Sequence, residues 1–315
     1  YDMDGGTLTA GSAYIGRNGD GLLTVDGGAT ATINGTATIS AKGTLNVIDG
    51  TLVAGELVRE SGSAFGTSPA SEVRVNRLTG DYAAFIGGLS FGHSGGVATH
   101  DVPAGDLLYV DRQLTVGHDT GTVFSLNAIG GDITVKDGLV VGKAQGGYGS
   151  VDVNSADSEL NVYGVSRVGE AGDGTLDLGG GADAHFRDVL RLGETATGEG
   201  EVRVAGTGST LLCDNPVLVG YNGEGTLKVN GGANATFQDW LSIANADGSS
   251  GDVTVSGAGS TLSLGDDLYV AGSSSQTGGN GSLTVERGAT ATVTGTLKTW
   301  GGGRVYLKDG LLDAG

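Results

Sequence analysis

The stretch that decides the fold runs from Leu218 to Phe237: "LVGYNGEGTLKVNGGANATF". In an extended chain, Leu227 and Val229 point one way and Lys228 and Asn230 the other. A period of two over so few residues marks a short strand with one buried face. Gly231-Gly232 then turns the chain. Ala233, Ala235 and Phe237 alternate against Asn234, Thr236 and Gln238 as a second strand, and Leu241 with Ile243 makes a third.

The phrase returns along the chain. "YIGRNGDGLLTVDGGATATI" starts at Tyr14, "RVGEAGDGTLDLGGGADAHF" at Arg167 and "GGNGSLTVERGATATV" at Gly278. A sister phrase lies between copies, as "LGETATGEGEVRVAGTGSTLLCD" from Leu192 and "IANADGSSGDVTVSGAGSTLSLGD" from Ile243. The small residue closing each third strand falls at Gly117, Gly142, Gly169, Gly193, Gly220, Ala244 and Ala271, in steps of 25, 27, 24, 27, 24 and 27. No single turn of this length can bury its apolar face alone, but stacked turns can. The sequence therefore predicts an all-β chain, a right-handed parallel β-helix of about twelve coils of roughly 25 residues, each strand about 4.8 Å from its counterpart. Cys213 takes the place of Leu264 in the sister turn, which makes it a core thiol.

Composition agrees. Of 315 residues 63 are Gly and only 3 are Pro, without a three-residue glycine period, so collagen is excluded. This much Gly disfavours helices and suits tight turns. The formal net charge of −19 disfavours nucleic acid and anionic membrane as partners. One cysteine rules out an internal disulfide framework. No segment is apolar for long enough to insert in a membrane as a helix, and the start at Tyr1 without Met suggests a processed or excised segment.

Residues 1–315 read as a single β-helix. Residues 56–113 are less regular, with closing glycines assigned to Gly66 and Gly92 and longer loops expected near Ser61–Ala70 and Ser94–Gly105.

The recurring VG-x-x-G-x-G-T-L-x-V-x-G-G-A-x-x-T phrase is similar to the repeat shared by type V autotransporter passenger domains and by surface proteins with PEP-CTERM sorting tails. "RVNRLTGDYAAF", Arg74–Phe85, with "LSFGH", Leu89–His93, resembles a segment that accompanies such repeats in planctomycete-type surface proteins. The resemblance implies an extracellular or cell-surface bacterial β-helix, adhesive or structural, and carries over no catalytic set.

"FGHSGG", Phe91–Gly96, matches the G-x-S-x-G nucleophile elbow at Ser94. Its alignment with Val116-Gly117-His118-Asp119, and the lack of a following helix, make it a β-helix corner. His93, His100, His118 and His185 lack metal-ligand spacing, and His93 and His118 fall at equivalent positions of nearby turns. Asp20, Asp173, Glu224 and Asp267 are the weak calcium candidates; no cofactor is required, because turn geometry also favours Asp. A polysaccharide-cleaving enzyme needs carboxylates paired on one face. Asp266 and Asp267 adjoin but point to opposite faces, and Tyr163, Tyr221, Trp240, Tyr269 and Trp300 are scattered, so the reading is non-enzymatic. Asn34, Asn234 and Asn280 head glycosylation sequons.

The two ends carry the same phrase. "YDMDGGTLTAG" aligns with "VYLKDGLLDAG", so Met3 matches Leu307 and Leu8 matches Leu312. With Tyr1 and Val305, these residues form an expected end-to-end interface. The sequence thus predicts a structural subunit of a head-to-tail fibre. The alternatives are an adhesin binding surface glycans or a partner and, more remotely, a β-helix enzyme.

Overall fold

The computed structural model describes residues 1–79, 87–92 and 96–315. Strand ladders run parallel, and the stacked coils form a β-solenoid of about twelve turns of roughly 25 residues. From Gly96 onward each coil has three strands. First strands, from Gly96–Pro103 to Gly303–Lys308, make one nine-stranded sheet. Second strands, from Leu107–Val110 to Leu311–Ala314, make another. Third strands, from Gly88–Phe91 to Leu297–Thr299, belong to a longer sheet that also runs through the N-terminal coils.

The alternation builds the core. Val202, Leu227 and Val253 are register partners, each at most 1% exposed. Such columns fill the lumen with Val, Leu, Ile and Phe, so each coil's apolar face is covered by its neighbours. Cys213 pairs with Phe186 on one side and Phe237 on the other, and Phe237 pairs with Leu264. It is fully buried, and burial raises its thiol pKa well above the ordinary value.

The corner after each third strand explains the glycine spacing. Gly220 closes strand Val217–Val219 with φ +75, and Gly225 lies opposite it in the following first strand. A Cβ on Gly225 would penetrate the Gly220 amide nitrogen, and a Cβ on Gly220 would meet the Ser250 carbonyl of the next coil.

The N-terminal coils are tighter. Asp2 pairs with Thr24 and Gly21 with Gly43, both steps of 22 residues, and Thr44 pairs with Ala64, a step of 20. The saving comes from joining second and third strands into continuous strands Thr30–Ile39, Thr51–Arg59 and Glu72–Thr79. Gly66 lies within strand Ala64–Thr67 as the partner of Asn46, so it does not close a coil. The expected loops near Ser61–Ala70 and Ser94–Gly105 contain strands Ala64–Thr67 and Gly96–Pro103. Both segments alternate too weakly for sequence to separate strand from loop, and neighbouring coils supply their pairing.

The two sets of coils meet out of phase. Gly88–Phe91 is a third strand, yet it stacks on Glu72–Val75, which continues the second-strand column of Thr7–Ala10, Thr30–Ile33 and Thr51–Ala54. Val73 pairs with Leu89 after only 16 residues. Gly16, which follows third strand Ala13–Ile15, and Gly92 therefore stand on different faces. The repeat has slipped by one face. Among the described residues, the four-stranded sheet ends at Ala64–Thr67, and the two nine-stranded sheets begin at Gly96–Pro103 and Leu107–Val110. One sheet alone crosses the junction.

Two outcomes follow from this geometry. Gly225→Ala should lower stability by roughly 1–3 kcal/mol through overpacking, read from the denaturant midpoint. Stacking energy is summed over neighbouring coils, and among the described residues a single sheet is continuous across the junction, so the junction should be the first place to open. Hydrogen exchange in graded guanidinium should release residues 1–79 before residues 107–293; loss of both in one step would contradict the junction's weakness.

Candidate functional sites

Coil register brings together side chains about 25 residues apart. On the outer face of the first-strand sheet, one row reads Asp101, Asn127, Asp152, Asp177, Arg203, Lys228. The adjacent row includes Ser125, Ser150, Thr175 and Glu201. Asp152 and Asp177 are direct register partners on neighbouring coils. Ser150 donates to Asp152 Oδ2 at 3.2 Å and to Ser125 at 2.8 Å. Arg203 Nη1 lies 3.6 Å from Asp177 Oδ1 and holds Glu201 in a bidentate pair at 2.8 and 2.7 Å. Lys228 reaches the same Glu201 at 2.6 Å.

Burial is the largest cause raising Asp177 to about 6; Arg203 pulls the other way, and the Asp152 carboxyl adds to the rise. Glu201 moves down despite burial, because Arg203 and Lys228 hydrogen-bond its charged form. Here is the paired-carboxylate arrangement that adjacent Asp266 and Asp267 could not supply. Only the 25-residue coil step, applied to outward positions, would have revealed it.

A second cluster surrounds His118. Its Nδ1 lies 2.5 Å from Asp119 Oδ1 and its Nε2 3.1 Å from Lys143 Nζ. Burial is the chief cause lowering the His118 pKa, favouring a neutral ring that donates to Asp119 and accepts from Lys143. Glu72 and Arg74, 2.7 Å apart, complete this charge network.

The sequence candidates disperse. His93 and Ser94 lie outside the described residues. Gly92 closes one strand and Gly96 opens another, so the described flanks of the motif are strands on both sides. Asp173 and Glu224 share an exposed column with Glu199, Asp20 lies in the N-terminal coils, and Asp267 is elsewhere. Asp267 instead accepts from Tyr269 at 2.5 Å and from the Thr296 amide at 2.6 Å, which hold its pKa down. Among the described residues, no group of three or more His, Cys, Asp or Glu could hold a metal ion. His185 pairs with Asp214 at 2.9 Å. Asn34 and Asn280 are exposed, whereas Asn234 is half-buried and accepts from Thr261 at 2.8 Å. Of the aromatics, Trp240 and Tyr269 meet edge to face at 6.0 Å. Tyr163 is flanked by Lys136 and Arg187, Tyr221 by Arg191 and Trp300 by Lys298, so cations already engage these rings.

No family model, curated protein or solved structure matches the chain.

The Asp177 shift carries a sign that can be checked. A raised carboxyl pKa means that the folded state binds the proton more tightly than the unfolded chain. The cost is absent below the ordinary 3.8, grows as pH rises, and is complete above about 6. Asp177→Asn should therefore raise stability by about 1 kcal/mol well above pH 6, after discounting for solvent screening, and give no gain below pH 3.8. Denaturant melts at both pH values test this.

Proposed function

We propose that the protein is a structural, non-enzymatic rod of the bacterial cell exterior that assembles end to end with further copies of itself. The carrying observation is the state of the outermost coils. Leu307 occupies the inward column of Val255 and Val285, which are fully buried, yet it is 54% exposed. Val305 and Leu312 are half-buried at positions whose partners Leu283 and Ala291 are closed off. At the other end, Met3 is buried, Leu8 is half-buried and Tyr1 is exposed. A further coil laid on either face would cover apolar surface and satisfy a strand edge.

Strand phase supports the same reading. Asp2–Asp4 is followed by Thr7–Ala10 as Gly303–Lys308 is followed by Leu311–Ala314, first strand then second in both cases. An acidic rod repels its neighbours sideways, which favours axial over lateral association.

Electron microscopy and sedimentation of the chain of residues 1–315 test the proposal. Unbranched fibres with an axial repeat of roughly 60 Å, twelve steps of strand spacing, are the expected result. The one-face slip adds a signature: copies stacked in strand phase should turn by about 120° each, one face of a three-sided solenoid. Leu307→Asp should abolish the fibres and leave a folded monomer. A wild-type chain that stays monomeric at high concentration ends the proposal.

A further inference from the structure

A cleft lies beside the slipped junction. Residues Asn76–Thr79 line one side of a cleft of roughly 650 Å³ and Ala98–Asp101 the other. That volume lies within the range of small-ligand sites, about 300–1,000 Å³. Leu78 and Ala98 supply apolar lining. His100 stands in a column that should be apolar, since its partner is Leu126 and the column continues through Val151, Leu176, Val202 and Leu227. Its ring stacks on buried Phe91, with centroids 5.2 Å apart and planes 21° from parallel. No described residue hydrogen-bonds either ring nitrogen. Neither ring nitrogen is among the buried unpartnered polar atoms, so both are open to a ligand in the cleft.

The rim is polar and, with Arg77 against Asp101 and Glu56, slightly acidic. Arg77, 67% exposed, lies 3.5 Å from Glu56, which also accepts from Thr79 at 2.9 Å. Asp101 accepts from Asn127 at 2.7 Å and is otherwise exposed. Thr99 adds a hydroxyl. Donors and acceptors of both kinds thus ring an apolar floor, and with Arg77 against Asp101 and Glu56 the rim carries a net charge of −1, which disfavours an anion.

We propose that this cleft binds a neutral sugar ring lying across the sheet edge at strand Gly96–Pro103, where both faces of the strand are within reach: the C–H face of the pyranose packs against Ala98, Leu78 and His100 on the inward side, and its hydroxyls bond to His100 and, over the edge, to Asp101 and Arg77. A neutral imidazole offers one donor and one acceptor, as a sugar hydroxyl does, so the pair is complementary. An anion would meet Asp101 and Glu56, and a purely apolar ligand would leave His100 unpartnered. The site needs no assembly and goes beyond the rod reading.

Saturation-transfer NMR on the chain of residues 1–315, with millimolar cellobiose, maltose and chitobiose and with digalacturonate as the charged comparison, tests it. At least one neutral disaccharide should bind, and better than digalacturonate. Asp101→Ala should weaken that binding about tenfold, the loss of one hydrogen bond. His100→Leu should abolish it while leaving the thermal midpoint unchanged or higher, because Leu matches its column. Soluble polymers of the sugar that binds then tell a site for a free sugar from one for a unit within a chain; binding in either form supports the proposal. Absence of binding by every neutral disaccharide, preference for digalacturonate, or undiminished binding in either variant overturns it.

Discussion

Everything in this molecule depends on how closely the backbone approaches itself at the corner after each third strand. At Gly220 and Gly225 the chain passes so near to itself that neither residue has room for a Cβ. The positive φ of Gly220 turns the third strand back toward the next first strand. That contact brings successive coils into register, and register puts Leu on Val on Leu down the lumen. The glycine content is thus a geometric condition for burying the apolar residues. Ala244 and Ala271 hold the same left-handed conformation with φ 55 and 63, so the turn itself tolerates a methyl group where the neighbouring coil leaves space.

Register also determines the chemistry of the surface. Parallel stacking converts a sequence distance of about 25 residues into neighbours at strand spacing. Asp152 comes to lie beside Asp177, and Arg203 beside Lys228, although nothing local links them. Rows of hydroxyls, carboxylates and cations then run along the axis. Their protonation depends on the row: Asp177 rises next to another acid, whereas Glu201 falls between two cations. Burial is the chief cause at Asp177, with Asp152 of the preceding coil adding to it, and Glu201 is held by Arg203 of its own strand and Lys228 of the next coil.

The junction departs from this order and concentrates most of the irregular chemistry. Two of the three faces change ladders there, and Phe124 occupies a position that is Gly in the following coils. Phe91 stacks on both His100 and Phe124, and Phe91 and His100 take positions that are aliphatic in the following coils. A solenoid is stabilised by nearest neighbours, so such a fault costs only locally and can persist beside regular coils. A cleft lies beside it.

The sequence by itself determined the class of fold, the strand triplet, the coil length in the C-terminal part and the burial of Cys213. These follow from period-two alternation and repeated glycines, both local properties readable residue by residue. The strand in Ser61–Ala70, the place of Gly66 and the one-face slip between Gly16 and Gly92 were not legible. All three depend on which coil a segment pairs with, and a weakly alternating segment does not specify its partner. The Asp152–Asp177 pair and the lumen-facing His100 were hidden for the same reason. Alternation shows which side a residue takes, but its neighbours lie a whole coil away, and only tertiary stacking decides which they are.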